Sequence, residues 1–216
     1  MGTRLDRDQV VDTALELLNE VGLEGLTLRR IGQELDVRAP ALYWHFKNKQ
    51  DLLDAMATEM LRRMSRAELL REVTERRTWQ DVLADSHRAL RRTLLSYRDG
   101  AKVYSGTRFT DTSYADTMET YLKALVEAGF TPRAAARAFY TVYCYTIGYV
   151  VEEQSAAGYP EQGVKGIDLM EREQRLTGHP ISAAAGPELF GESEAGFETG
   201  LRAVVAGLEA TLPRGR

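Results

Sequence analysis

The 216-residue chain has one cysteine, Cys144, and three histidines, His45, His87 and His179. A single cysteine excludes a disulfide scaffold and any cysteine-based zinc module, and suits a reducing cytoplasm. No histidine falls in a nucleophile, metal or acid–base pattern, and no glycine-rich phosphate loop is present. The expectation is therefore no catalytic residue, no metal and no cofactor. Cys144 lies in an apolar helical pattern and reads as inert core. His87 reads as a surface or lining residue of its helix. No apolar run reaches the length that spans a bilayer, and the opening Met1-Gly2-Thr3-Arg4 lacks a signal-peptide core, so no membrane partner is expected. Lysine is scarce as well: five lysines leave 23 of the 28 cations as arginine, a bias of GC-rich genomes.

What remains is ordinary for a soluble globular protein, with 44% apolar and 28% charged residues. The net charge of −4 argues against a nucleic-acid partner when averaged over the chain. Locally the balance reverses. Between Thr27 and Lys49 stand Arg29, Arg30, Arg38, Lys47 and Lys49 against Glu34 and Asp36, a net +3. A small basic face on an acidic body suits a protein that touches DNA at one end.

Almost every periodic stretch reads as helix, so the expected fold is all-α. Asp6 with Gln9 starts a helix striped by Val10, Ala14, Leu17, Leu18 and Val21, and Gly22 is placed to end it. Thr27 caps a short helix carrying Leu28, Ile31 and Leu35. After a turn at Asp36-Val37, Pro40 requires the next helix to begin close to it. Asn48 with Asp51 caps a helix reaching about Arg62-Arg63. The polar stretch from Arg71 to Arg77 reads as a connection, and Thr78 caps a helix with Val82, Leu83, Leu90 and Leu94 on its apolar side. Arg98-Asp99-Gly100 breaks it, and Tyr104 to Arg108 reads as irregular. Further helices are expected from Ser113 to Ala128, from Pro132 through Val151, and from Ser193 to a stop at Pro213. Between Ala157 and Pro187 only a short helix near Leu169 is expected.

Two short helices joined by a tight turn and packed on a preceding one form a helix-turn-helix. Leu42 and Phe46, four apart, face inward against Ile31 and Leu35. That leaves Arg38, Ala39, Ala41, Tyr43, Trp44 and His45 near the outer face, where a recognition helix reads base edges and clamps phosphates. Tyr43, His45 and Lys49 have the chemistry for phosphate contacts, and Arg29 for base or backbone. On pattern alone, the alternative is that Tyr43 and Trp44 are half-buried core and the charges a solvated face.

The stretch ALELLNEVGLEGLT from Ala14 to Thr27 closely resembles the tetracycline repressor (TetR) family, and so does PALYWHFKNKQDLL from Pro40 to Leu53. Trp79-Gln80, the run from Leu94 to Val103, Gly106-Thr107-Arg108 and Glu127-Ala128-Gly129-Phe130 resemble the regulatory core of its tetracycline-responsive subgroup. The resemblance implies a helix-turn-helix domain over residues 1–48, a connecting helix over 49–70, and a ligand-binding and dimerisation domain over 71–216. It also implies a homodimer built on the helices after Pro132 and after Ser193, binding a palindromic double-stranded operator. Small residues Gly196, Gly200, Ala203, Ala206 and Gly207 in the last helix fit close helix approach, either at that seam or in a helix buried within one subunit. The implied DNA-binding residues are Thr27, Arg29, Arg38, Ala39, Pro40, Ala41, Tyr43, Trp44, His45 and Lys49.

Departures from that subgroup point to a different operator and a different inducer. Ala39 and Ala41 stand where a glutamine and a threonine help select bases, and Arg38 replaces an acidic residue. An alanine cannot make the amide pair to adenine, whereas an arginine seeks guanine. In the regulatory core the metal-binding histidine aligns with Tyr104, drug-contacting polar residues with Ser65, Ser86 and Tyr121, and a wall phenylalanine with Leu90. Thr107, Arg108 and Glu152 keep the subgroup's chemistry. A neutral tyrosine is a poor magnesium ligand. Tyr104, Phe109, Tyr121, Phe139, Tyr140, Tyr143, Tyr145 and Tyr149 concentrate in these helices, with Phe139, Tyr143 and Tyr140 expected on one side. An apolar pocket with several hydroxyls suits a flat aromatic or polycyclic small molecule. The implied ligand residues are Ser65, Ser86, Leu90, Tyr104, Thr107, Arg108, Phe109, Tyr121, Phe139 and Tyr143. The alternatives are ordinary packing for these rings, and a DNA-binding regulator or activator without a small ligand.

Overall fold

The computed structural model describes residues 5–69, 77–160 and 163–211. The connection expected before Arg77 and the stop expected at Pro213 lie outside the described residues. Within them the chain forms twelve helices: α1 Arg7–Gly25, α2 Leu28–Glu34, α3 Ala39–Tyr43, α4 Lys49–Leu69, α5 Trp79–Leu95 and α6 Gly100–Tyr104. There follow α7 Ser113–Glu127, α8 Pro132–Ala157, α9 Leu169–Arg175, α10 Pro180–Ala184, α11 Gly186–Phe190 and α12 Ser193–Thr211. The only extended pairing among the described residues is an isolated bridge between Tyr159 and Val164.

Most helix starts follow the capping signals. The Asp6 carboxylate accepts from the Gln9 amide at 2.7 Å, Thr27 from Arg30 at 3.2 Å and Thr131 from Ala134 at 3.2 Å. Thr78 and Asp81 cap one another reciprocally, at 3.2 and 3.0 Å. Gly22 takes the positive φ its placement suggests (68°), although a further helical turn runs on to Gly25. Asp36, at φ 50°, makes the turn between α2 and α3. The departures are short or terminal. α4 runs past Arg63 to Leu69, α8 past Val151 to Ala157, and Tyr104 closes the short helix α6 where irregular chain was expected. α10 and α11 form inside the glycine- and proline-rich stretch, each opening with a proline in its first turn.

The chain divides into two compact units, residues 1–76 with 89–120, and residues 77–88 with 121–216. In the first, α1 packs on α2 and α4, α2 on α3, and α4 on α6. Its interior is built from Val10, Ala14, Leu15 and Leu18 of α1, Ile31, Leu42 and Phe46, and Leu52, Met56 and Met60 of α4. In the second, Trp79 and Leu83 of α5 join Leu125, Phe130, the Ala134–Ala138–Val142 face of α8, and Phe197, Leu201, Val205 and Leu208 of α12.

Helices α8 and α12 approach closely, and the glycines of α12 make room for tyrosines of α8. Tyr145 donates to the Phe197 carbonyl and Tyr149 to the Ser193 carbonyl, both at 2.9 Å. A methyl group on Gly196 would stand 2.4 Å from the Tyr149 hydroxyl, and one on Gly200 would stand 2.2 Å from that of Tyr145. These two glycines therefore serve packing within one chain, whereas Ala203, Ala206 and Gly207 are exposed. Gly196→Ala is expected to cost about 1–3 kcal/mol in chemical denaturation. Tyr149→Phe should recover much of it in the double variant, because the next ring atom lies 3.6 Å from the added methyl.

Candidate functional site

The segment expected to read DNA begins with two residues turned inward. Leu42 and Phe46 are both 0% exposed, and the amides of His45 and Phe46 each donate to the Leu42 carbonyl at 2.9 Å, carrying the α3 turn past Tyr43. Residues between these anchors must face outward. Trp44 is 89% exposed and Tyr43 57%, and His45 is partly exposed. Arg29, Arg38 and Pro40 are exposed and Ala41 is partly so, while the Ala39 side chain lies outside the described set. The Thr27 hydroxyl is committed to capping α2. An exposed indole gains nothing for the fold, and next to a phenol, an imidazole and arginines it suits a nucleic-acid surface.

Two features of this end were not visible in local pattern. Lys49, expected to meet phosphate, donates its ammonium to the Leu23 carbonyl at 2.7 Å, and the Leu23 amide donates to Asp99 at 3.1 Å. Arg7 was not singled out at all. Its guanidinium donates to the His45 carbonyl, pairs with Asp51 at 3.2 Å and lies 4.3 Å from the centre of the Phe46 ring. It thereby ties the end of α3 to the first turn of α4. Burial pushes the Asp51 carboxyl up, but the Lys47 amide and Arg7 outweigh it and hold the group below its ordinary value. The partners of Arg7 lie 38 and 44 residues away, so only the fold could show them.

The residues implied for ligand binding fall in both units. In the first, Tyr104 is buried with its ring edge-on to Phe109 at 5.7 Å, and Phe109 stacks on Tyr114 at 5.3 Å. Ser65 lies 2.9 Å from the Thr117 hydroxyl, and Thr107 donates to the Tyr104 carbonyl at 2.7 Å. Leu90 is buried and Arg108 exposed. A cleft in this unit is lined by Arg7, Asp8, Asp12, Glu59, Arg62 and Thr110. Arg62 pairs there with Glu59 at 3.6 Å, while Arg7 and Asp12 pair with Asp51 and Arg63 outside the lining, so the cleft is charged where an apolar seat was expected.

In the second unit Tyr121 stacks on Phe139, centres 6.0 Å apart, and Phe139 meets His87 at 5.3 Å. Ser86 is buried beside His87. Tyr143 does not join them: it stacks on the exposed Tyr140 at 5.9 Å. Tyr145 and Tyr149 pack around Phe197. The aromatic surplus thus splits, because α8 presents Phe139, Tyr140 and Tyr145 in different directions. Two single-residue expectations are corrected by the same geometry. Cys144 is exposed, on the opposite side of α8 from Ala138, Val142 and Thr146. His87 is buried, and burial holds its imidazole at a pKa of about 4, against a smaller upward pull from the Leu83 carbonyl.

No helix among the described residues is long and apolar enough to cross a membrane. The profile described as "Bacterial regulatory proteins, tetR family" matches residues 10–56, and "Tetracyclin repressor-like, C-terminal domain" matches residues 73–212. The class D tetracycline repressor of Escherichia coli is 46% identical over 70% of this chain and 67% of its own length. The crystal structure of a possible TetR family transcriptional regulator from Streptomyces coelicolor A3(2) is 40% identical, with a TM-score of 0.81 over 95% of this chain and 99% of that one. A TetR variant from Acinetobacter baumannii AYE in complex with minocycline is 36% identical, with a TM-score of 0.72 over 97% and 99%. An outward-facing aromatic segment after Pro40 and sequence matches to both family profiles lead to one assignment: the chain belongs to the tetracycline repressor family of DNA-binding transcriptional regulators.

Proposed function

We propose that this protein is a cytoplasmic, homodimeric, ligand-responsive repressor, with residues 1–48 reading DNA, 49–70 connecting, and 71–216 binding ligand and dimerising. The observation that carries it is the exposure of Trp44 and Tyr43 over a fully buried Leu42 and Phe46. Arg29, Arg38, Tyr43, Trp44 and His45 contact a palindromic operator from each subunit. Tyr140, Cys144 and Gly148 on α8, with Ala203, Ala206 and Gly207 on α12, are exposed and small or aromatic, which suits a helical dimer seam. An aromatic or polycyclic molecule held by Ser86, Tyr121 and Phe139 lowers operator affinity by its preference for the non-binding conformation. The tetracycline repressor classes and the minocycline complex among its relatives support that ligand class and a role in antibiotic resistance. Tyr104 is a buried phenol against Phe109, which does not fit a magnesium ligand, so the ligand is taken up without a metal.

A mobility-shift titration with DNA from the protein's own upstream region tests the reading. A retarded band that a panel of polycyclic phenols and antibiotics dissolves supports it, and a blank titration overturns it. Arg38→Ala is expected to relax preference for guanine at one position per half-site in selected operators. The cost at the preferred sequence is about 1–3 kcal/mol. Selection that returns the tetracycline operator would remove the specificity part of the proposal.

A further inference from the structure

His87 is a buried titratable side chain for which the fold supplies only half the hydrogen bonding. Its Nδ1 lies 2.7 Å from the Leu83 carbonyl, which can only accept, so Nδ1 carries the proton. The Ser86 hydroxyl, 3.0 Å from Nδ1, itself donates to the same carbonyl at 2.8 Å. Nε2 is therefore a bare lone pair, and no donor among the described residues pairs with it. The residue is 1% exposed. With the residue so little exposed, little water reaches Nε2 to compensate for the missing donor. The ring faces Phe139, which stacks in turn on Tyr121, and both of these are only partly buried. An acceptor beside two stacked, partly accessible rings is an arrangement that a flat donor-bearing molecule completes.

Building on the ligand-responsive reading above, we infer that Nε2 of His87 accepts a hydrogen bond from the inducer, which carries an aromatic hydroxyl or ring N–H held against Phe139 and Tyr121. The neutral tautomer also sets what is refused. A carboxylate brings no proton to a lone pair and a charge to a desolvated site, so the inducer presents its donor end, and not an anionic one, to His87.

Calorimetric titration with 1-naphthol, 1-methoxynaphthalene and 1-naphthoate, on the full chain and on His87→Phe, tests this. Phe keeps the ring contact and removes the acceptor. The parent chain is expected to bind naphthol roughly tenfold more tightly than its methyl ether, and the variant to bind the two alike. Should His87→Phe fail to fold, nitrogen NMR of the parent gives a second reading. Nε2 should resonate as an unprotonated nitrogen and move towards the hydrogen-bonded position on adding naphthol. Equal binding of naphthol and ether to the parent, naphthoate binding as tight as naphthol, no binding of any probe, or a protonated Nε2 each overturn the inference. The operator titration judges the broader reading separately: release by other aromatic compounds with no hydroxyl preference leaves ligand-responsive repression standing and removes His87 from it.

Discussion

Trp44→Ala is expected to weaken operator binding at least tenfold while leaving stability almost unchanged, and Phe46→Ala to unfold the DNA-reading end outright. The two rings are two residues apart and differ in kind. Trp44 is the most exposed large apolar side chain in this segment, so truncating it removes almost no packing, and a shift within about 0.5 kcal/mol is expected. A lost nucleic-acid contact costs about 1–3 kcal/mol. On a palindrome both subunits lose it, which doubles the effect on the dimer. Phe46 is fully buried beneath the Arg7 guanidinium. Its truncation leaves a cavity costing about 3–5 kcal/mol, comparable to the whole stability of many domains. Thermal melts and mobility shifts on both variants check the pair. Unimpaired operator binding by Trp44→Ala would place the reading surface elsewhere on the chain.

The inward half of that contrast was legible from helical spacing, because Leu42 and Phe46 share a face, whereas the same pattern left Tyr43 and Trp44 either outward or half-buried. Capping signals at Asp6, Thr27, Thr78 and Thr131 were legible for the same reason, since each needs only neighbours three residues away. What escaped depends on distant partners. Arg7 acts through the His45 carbonyl and Asp51, and nothing near Arg7 in sequence announces either. Gly196 and Gly200 suited either a seam for a second subunit or a helix packed within one, and the tyrosines that need their space come from α8 of the same chain. Cys144 was misread as core, and of the surface and lining readings of His87 burial removes the first. An apolar helix has two sides, and composition does not say which one meets the core. Of the ligand residues that the resemblance implies, the fold brings Tyr104 against Phe109 and Tyr121 against Phe139.

The burial of His87 has a consequence in acid that needs neither DNA nor ligand. In the unfolded chain an imidazole takes up its proton near its ordinary pKa of 6.5, whereas in the folded chain it does so only near 4. Above 6.5 both states are neutral and the residue contributes no pH dependence. As pH falls from 6.5 towards 4, the unfolded state binds a proton that the folded state refuses, and stability drops. The full loss is about 3 kcal/mol, and most of it is spent by about pH 4.5. Below 4 both states are protonated and the slope from this residue vanishes. Asp51, Asp81 and Asp111, whose carboxyls are held below their ordinary values, also withdraw stability in acid, but at lower pH. They are common to the parent chain and His87→Phe, as are the other two histidines, so the difference between the two chains isolates His87. Urea unfolding at a series of pH values should therefore show the parent losing about 2–3 kcal/mol relative to His87→Phe between pH 7 and pH 4.5. Parallel curves over that interval would mean that the folded imidazole titrates like a solvated one, and would overturn the prediction.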